Sequence, residues 1–194
     1  MLGQTRSKAQ SLSALIRIIK LKFRCVMQQR TFLFGYDHLM YPEGANECGM
    51  HQWYRQRDFH PCKLVGFKRG AYLEWALRRY YSAIPSAKDY ILGTVFEIHT
   101  EHDLYALLKL KMVINCDPRG IGPAYMFTDV TNLVQFDVPP SAKVMALIHP
   151  EYKHPEDGQL DKDYQQRVWN GIQIHGQKFV KEFLLTGGRQ SIKG

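Results

Sequence analysis

From Tyr90 to His99 the sequence alternates in two-residue steps and stops at a helix cap. Ile91, Gly93, Val95 and Glu97 fall on one face, and Leu92, Thr94, Phe96 and Ile98 on the other. A two-residue period over that length specifies a β-strand, because successive side chains leave a strand on opposite sides. Thr100 follows directly, with Asp103 at the capping-box position, so the chain passes from strand to helix within one residue. Leu104, Leu107, Leu108 and Lys111 then recur on a short helix.

Around this segment the punctuation is that of a sheet protein with appended helices. Thr31 to Tyr36 reads as a buried strand ending at Gly35. Tyr41 to Arg57 reads as a turn-rich connection, because it carries Pro42, Gly44 and Gly49. Cys62 to Tyr72 reads as a second strand broken by Gly66 and Gly70, and Arg79 to Ile84 as a third stopped by Pro85. Asn115 to Gly122 is a loop; Ala124 to Val130 and Lys143 to His149 are two more strands, separated by Pro139-Pro140. Asp161 to Gly171 and Gln177 to Leu185 read as C-terminal helices, and Gly187-Gly188 closes the fold. Strands, a short helix, more strands and then helices give an α+β class with a mixed or antiparallel sheet, not a doubly wound one.

Charge divides the 194 residues unevenly. Residues 1–36 contain seven Lys or Arg and no Asp or Glu, whereas the remaining 19 Lys and Arg face all 18 acids. The net charge of +8 therefore belongs to an N-terminal arm, and the body is nearly neutral. Within the arm, Leu12, Leu15, Ile16, Ile19 and Phe23 recur at helical spacing with Arg17, Lys20 and Arg24 between them. That is a basic amphipathic helix, which either packs on the domain or meets a membrane surface or nucleic acid. The arm also resembles a mitochondrial transit peptide in being basic and free of acids. The expected organisation is an arm over 1–30, one domain over 31–186 and a tail over 187–194. No apolar run reaches the roughly 18–20 residues of a membrane span. Cys25, Cys48, Cys62 and Cys116 lack the spacing of a disulfide framework, so free thiols and a cytoplasmic location are expected.

Several short motifs carry more information together than singly. Phe32, Phe34, Gly35 and Leu39 frame a strand and loop; Lys63-Leu64-Val65-Gly66-Phe67-Lys68-Arg69-Gly70 is a glycine-interrupted strand. Tyr80 to Pro85 ends in proline, and Ile91 to Ile98 is the alternating strand. Tyr125 opens a later strand, and Tyr164, Gly171, Gly176 and Phe179 follow in that order near the end. In order and spacing these resemble the γ-glutamylcyclotransferase-like family over residues 32–185. The resemblance implies a mixed β-barrel with a short pocket helix. It also implies that the loop after the first strand binds the α-carboxylate and amine end of a γ-glutamyl substrate. Independently of the family, a sharp turn at Gly35 brings backbone N–H groups together as an anion nest, or else merely relieves strain at the strand end.

The same resemblance places a catalytic glutamate near the end of the short helix, where it handles the proton of the attacking amine. Here Lys111 falls at that position and Lys109 two residues before it, with no acid between Asp103 and Asp117. Glu97 and Glu101 are the nearest substitutes. A lysine acts as a base only if burial depresses its pKa by several units, and it repels the substrate ammonium. The expectation is a small-molecule-binding protein that lacks the standard reaction, without a catalytic residue, cofactor or metal. The expected ligand is anionic, with nucleotide-derived compounds as the candidate class, lying among Phe34, Gly35, Tyr36, Asp37, His38, Leu39, Tyr81, Lys109, Lys111 and Tyr125. Tyr36, Tyr81 and Tyr125 would supply stacking faces. The alternatives are an active cyclotransferase with a displaced acid, and a nucleic-acid or protein partner bound through the arm; a homo-oligomer is open.

Three weaker sites come from the same residues. Cys48 and His51 with His60 and Cys62 have a spacing that zinc could use. Cys62 beside His60 is a candidate thiol nucleophile, though without an orienting acid and more in keeping with an inert core cysteine. His149, Glu151, His154 and Glu156 share a loop whose prolines favour a solvated turn.

Overall fold

The computed structural model describes residues 29–50, 54–75, 78–108, 125–149 and 159–186. The basic helix expected in the arm, Lys109, Lys111, the loop 115–122, His51, Glu151, His154, Glu156 and the closing Gly187-Gly188 lie outside the described residues.

Five strands form one mixed sheet: β1 (Thr31–Gly35), β2 (His60–Trp75), β3 (Arg78–Ile98), β4 (Met126–Asp129) and β5 (Lys143–Ile148). Their spatial order is β2-β3-β1-β5-β4. β1 runs antiparallel to β3, with Phe32 opposite Glu97, and parallel to β5, with Phe32 opposite Val144. The segment after β4 returns to the free edge of β2. There Val65 N donates to Leu133 O at 2.9 Å and Gln135 N to Lys63 O at 2.8 Å. That contact curls the sheet into a half-barrel and covers part of an edge that would otherwise present unpaired backbone groups.

Both faces of the central strand are buried, so all five residues of β1 are inside. Phe32 and Phe34 point into a core with Leu64, Val144, Val168, Ile172 and Phe183. Leu33 points the other way, into a cluster with Phe96, Leu104, Leu107 and Leu147. Two C-terminal helices, α3 (Lys162–Gln173) and α4 (Gln177–Thr186), cover the first face. The short helix α2 (Glu101–Leu108) covers the second. Its cap is as read from the sequence: Asp103 N donates to Thr100 Oγ1 at 3.1 Å. The Asp161 carboxylate caps α3 in the same way, accepting from Tyr164 N at 3.0 Å.

Three expectations are corrected. The connection after Tyr41 contains a helix, α1 (Pro42–Glu47), rather than only turns. Pro42 sits at its first position, where a missing N–H costs nothing. Gly44 is there because a Cβ would run into the carbonyl oxygen of His38. The third and fourth strands are one: Pro85 does not stop the chain, which runs as strand from Arg78 to Ile98. Pairing with β2 jumps from Phe67–Pro85 to Val65–Tyr90, so Ser86 to Asp89 bulge out opposite Gly66. Gly66 takes the left-handed conformation (φ 85°) that this bulge requires. Ser86 closes the excursion by donating its hydroxyl to Asp89. β2 is likewise continuous through Gly70.

Candidate functional site

The loop that leaves β1 folds back sharply. A Cβ at Gly35 would stand 2.6 Å from the carbonyl oxygen of Leu39, so only glycine permits the return. The return is held by Asp37. Its Oδ1 accepts from Leu39 N at 2.9 Å, capping the 3-10 turn His38–Met40, and its backbone carbonyl accepts from Met40 N at 3.3 Å. The amide of Leu39, which the expected anion nest would offer to a ligand, is thus already bound to the protein's own carboxylate. This is the short-range habit of aspartate in turns.

Asp37 is buried, and other groups converge on its second oxygen. Tyr164 donates its hydroxyl to Oδ2 at 3.4 Å, and Nδ1 of His38 lies 3.4 Å from the same atom. The tyrosines around the loop are pinned by the backbone. Tyr36 donates to Leu147 O at 2.5 Å and accepts from Ala83 N at 3.3 Å, joining the exit of β1 to β5 and β3. Tyr125 donates to Tyr81 O at 3.1 Å. Burial, with the Asp37 charge adding to it, pushes the hydroxyls of Tyr36, Tyr125 and Tyr164 well above their ordinary range, so they remain neutral donors.

The space among these groups is small. A cavity of about 10 Å³ lies between Phe34, Gly35, Tyr36, Asp37 and Leu39 on one side and Tyr125 and Leu147 on the other. A volume of that size holds about one water. Of the expected site residues, six (Phe34, Gly35, Tyr36, Asp37, Leu39 and Tyr125) border this cavity. His38 lies behind Asp37, its ring edge-on to Tyr164 at 5.7 Å. Tyr81 does not border the cavity. It packs in the core, 6.4 Å from the Phe183 ring, so it offers no stacking face here.

One residue of this region was missed. Arg69 is buried among the aromatics, its Nη2 donating to Phe183 O at 2.7 Å and its Nη1 to Leu92 O at 3.2 Å. Burial lowers its pKa to about 10, an effect opposed by nearby hydroxyls and by Asp37, so it stays charged at neutral pH. Arg69 and Asp37 are both buried charges. A charged residue within a strand usually marks the solvent face, which is why the pattern hid it.

The substitute acids do not reach the cavity. Glu97 is held by Arg30 at 2.6 and 2.9 Å, and that hydrogen-bonded pairing lowers its pKa. Glu101 is exposed in the first turn of α2. Cys48 turns its sulfur toward His38, not toward the His60–Cys62 pair on β2. No group of three His, Cys, Asp or Glu stands together as a metal set among the described residues. Cys62 is buried in apolar surroundings that push its thiol up to about 12, so it is no nucleophile.

No family model matches the sequence, and no curated protein matches it. Solved structures do. A structure described as gamma-glutamyl cyclotransferase superposes with a TM-score of 0.60 at 14% identity, over 86% of this chain and 92% of that one. YkqA from Bacillus subtilis gives 0.58 at 14% identity over 75% of this chain, which spans about half (49%) of YkqA. An uncharacterized protein from Homo sapiens gives 0.53 at 14% identity, over 76% and 81% of the two chains. The fold is therefore that of the γ-glutamyl cyclotransferases, a mixed half-barrel with a few helices. No helix among the described residues is long and apolar enough to cross a membrane.

Proposed function

We propose that this chain is a small-molecule-binding protein of the γ-glutamyl cyclotransferase fold that does not run the 5-oxoproline-forming reaction. The observation that carries the proposal is the absence of any Asp or Glu between Asp103 and Asp117, where Lys109 and Lys111 stand instead. The reaction needs a carboxylate that accepts a proton from the amine and returns it to the leaving group. The ligand would lie against the Gly35–Leu39 loop, and its fit requires the surrounding side chains to open a cavity now sized for one water. Asp37 and the pinned tyrosines favour a ligand with hydroxyl or amine donors at that end. The two lysines of the sequence favour an anionic group, and a nucleotide carries both kinds of group. Calorimetric titration with a nucleotide panel tests this, and a panel without heat would remove the ligand class. An assay for 5-oxoproline release from γ-glutamyl compounds tests the missing reaction, and robust turnover would overturn it.

A second reading rests on Asp37. It is a buried carboxylate bordering the cavity of the fold's own loop, and so a better displaced acid than Glu97 or Glu101. If turnover were found, Asp37→Asn should abolish it while Glu97→Gln leaves it intact.

A further inference from the structure

Cys48, His38 and Asp37 stand in the order nucleophile, base and acid. Cys48 Sγ lies 3.6 Å from Nε2 of His38, and on the far side of the same ring Nδ1 lies 3.4 Å from Asp37 Oδ2. The arrangement follows from local packing. Asp37 and His38 are neighbours in the turn after β1, and Cys48 ends α1. Gly44 lets the backbone of α1 press against the carbonyl of His38, and this close approach delivers Cys48 to the ring.

The chemistry depends on which nitrogen carries the proton. Nδ1 makes no hydrogen bond, and the carboxylate acts on it through its charge alone. That charge favours the neutral tautomer protonated at Nδ1, which leaves Nε2 as an acceptor facing the thiol. An imidazole so oriented takes the thiol proton, and the carboxylate stabilises the resulting imidazolium. The ligand-binding reading gives this thiol no task.

Cys62 provides an internal comparison. The two cysteines are nearly equal in exposure, 4% for Cys48 and 6% for Cys62. Their surroundings differ: Cys62 sits in the apolar core of the sheet, whereas Cys48 faces an imidazole–carboxylate pair whose members are 8% and 5% exposed. Reactivity that separates the two reports the neighbours, not access.

We infer that Cys48 is an imidazole-activated nucleophile and a site of covalent modification by small, uncharged carbon electrophiles. Small size follows from its burial, and the lack of charge from the apolar cluster it shares with Ala45, Met50 and Leu104. In the step, the sulfur attacks the electrophilic carbon and a C–S bond forms. The leaving group departs with its bonding electrons. The thiol proton passes to Nε2 of His38, and Asp37, as a positioning residue, holds the imidazolium.

Iodoacetamide is the probe, applied to the full chain with Cys25 and Cys116 replaced by serine and read by peptide mass spectrometry. At pH 7 Cys48 should alkylate about tenfold or more faster than Cys62. Its rate should change little down to pH 6, where an ordinary thiol of pKa about 8.5 loses about tenfold per pH unit. His38→Gln should restore that ordinary slope while Cys62 stays protected, and Asp37→Asn should move the profile part of the way. Rising Cys62 labelling in a variant would mark unfolding, and the ratio and pH profile of the unsubstituted His38 protein then decide alone. Equal inertness of the two cysteines, or an ordinary slope for Cys48, overturns the inference.

Discussion

Arg69 sets its guanidinium carbon 3.3 Å from the centroid of the Phe183 ring and donates to the carbonyl of the same residue at 2.7 Å. β2 and α4 are thus joined by one side chain that is both a cation on an aromatic face and a donor to backbone oxygens. Arg69→Lys keeps the charge but not the planar fork, so one carbonyl and the ring contact are lost. A loss of about 2–3 kcal/mol is expected in urea unfolding, in line with hydrogen bonds to charged groups. Arg69→Met, which removes the buried charge and keeps the stem, should cost less than Arg69→Lys.

Gly171 lies in α3 where a Cβ would come 2.5 Å from the ring of Tyr41. On an exposed helix, glycine to alanine gains about 1 kcal/mol. Here Gly171→Ala should instead destabilise by about 1–3 kcal/mol, because a well-packed ring has to move. Combining it with Tyr41→Ala should give a cost below the sum of the two single losses, as a double-mutant cycle would show.

His175 bridges two segments through both ring nitrogens: Nε2 meets Met40 O at 2.9 Å and Nδ1 meets Gln56 Nε2 at 3.2 Å. With Nε2–H donating to the carbonyl, Nδ1 accepts from the amide, so the neutral ring satisfies both. Burial lowers its pKa below the ordinary 6.5, an effect only partly opposed by the bond to Met40. The unfolded chain then binds the proton more readily than the folded one, and stability rises with pH through this interval. The contribution is complete above about pH 6.5 and disappears as pH falls through the lower folded value. Thermal melts between pH 7.5 and 5 should show this decline, and His175→Gln should flatten part of it.

Thr100 accepts from Asp103 N at the start of α2. Thr100→Ala should cost about 1 kcal/mol, the usual value of an N-cap hydroxyl. Loss of protection should concentrate in α2, whose Leu104 and Leu107 close one core, and hydrogen exchange of the helix amides would locate it.

What could be read from the sequence is what local signals encode. The alternation through Ile91 to Ile98 and the caps at Thr100 and Asp161 each act within a few residues, and they located β3, α2 and α3. α1 was hidden because Pro42 and Gly44 look like turn residues, and the reason for Gly44 is a carbonyl that only the folded chain brings near. Pro85 looked like a strand end because the bulge that accommodates it faces Gly66, nineteen residues earlier. At the site, the loop and Gly35 were legible, and the occupant of the Leu39 amide was not. Asp37 satisfies that amide from within the loop, a choice that its burial against Tyr164 makes firm.

The seat of β1 in the middle of the sheet has a consequence for how the molecule is made. Its two neighbours are β3 and β5, and the parallel partnership joins Thr31 to Lys143. On a ribosome the first strand would emerge well before the last can reach it. The β2–β3 hairpin can zip early, but the slot between β3 and β5 closes only once β5 has been synthesised. Such long-range pairing must bear its loop-closure entropy before any contact repays it, and it slows folding. Nascent chains that end before Ile148 would hold an apolar strand with one side unfilled, the state in which a chaperone would find its grip.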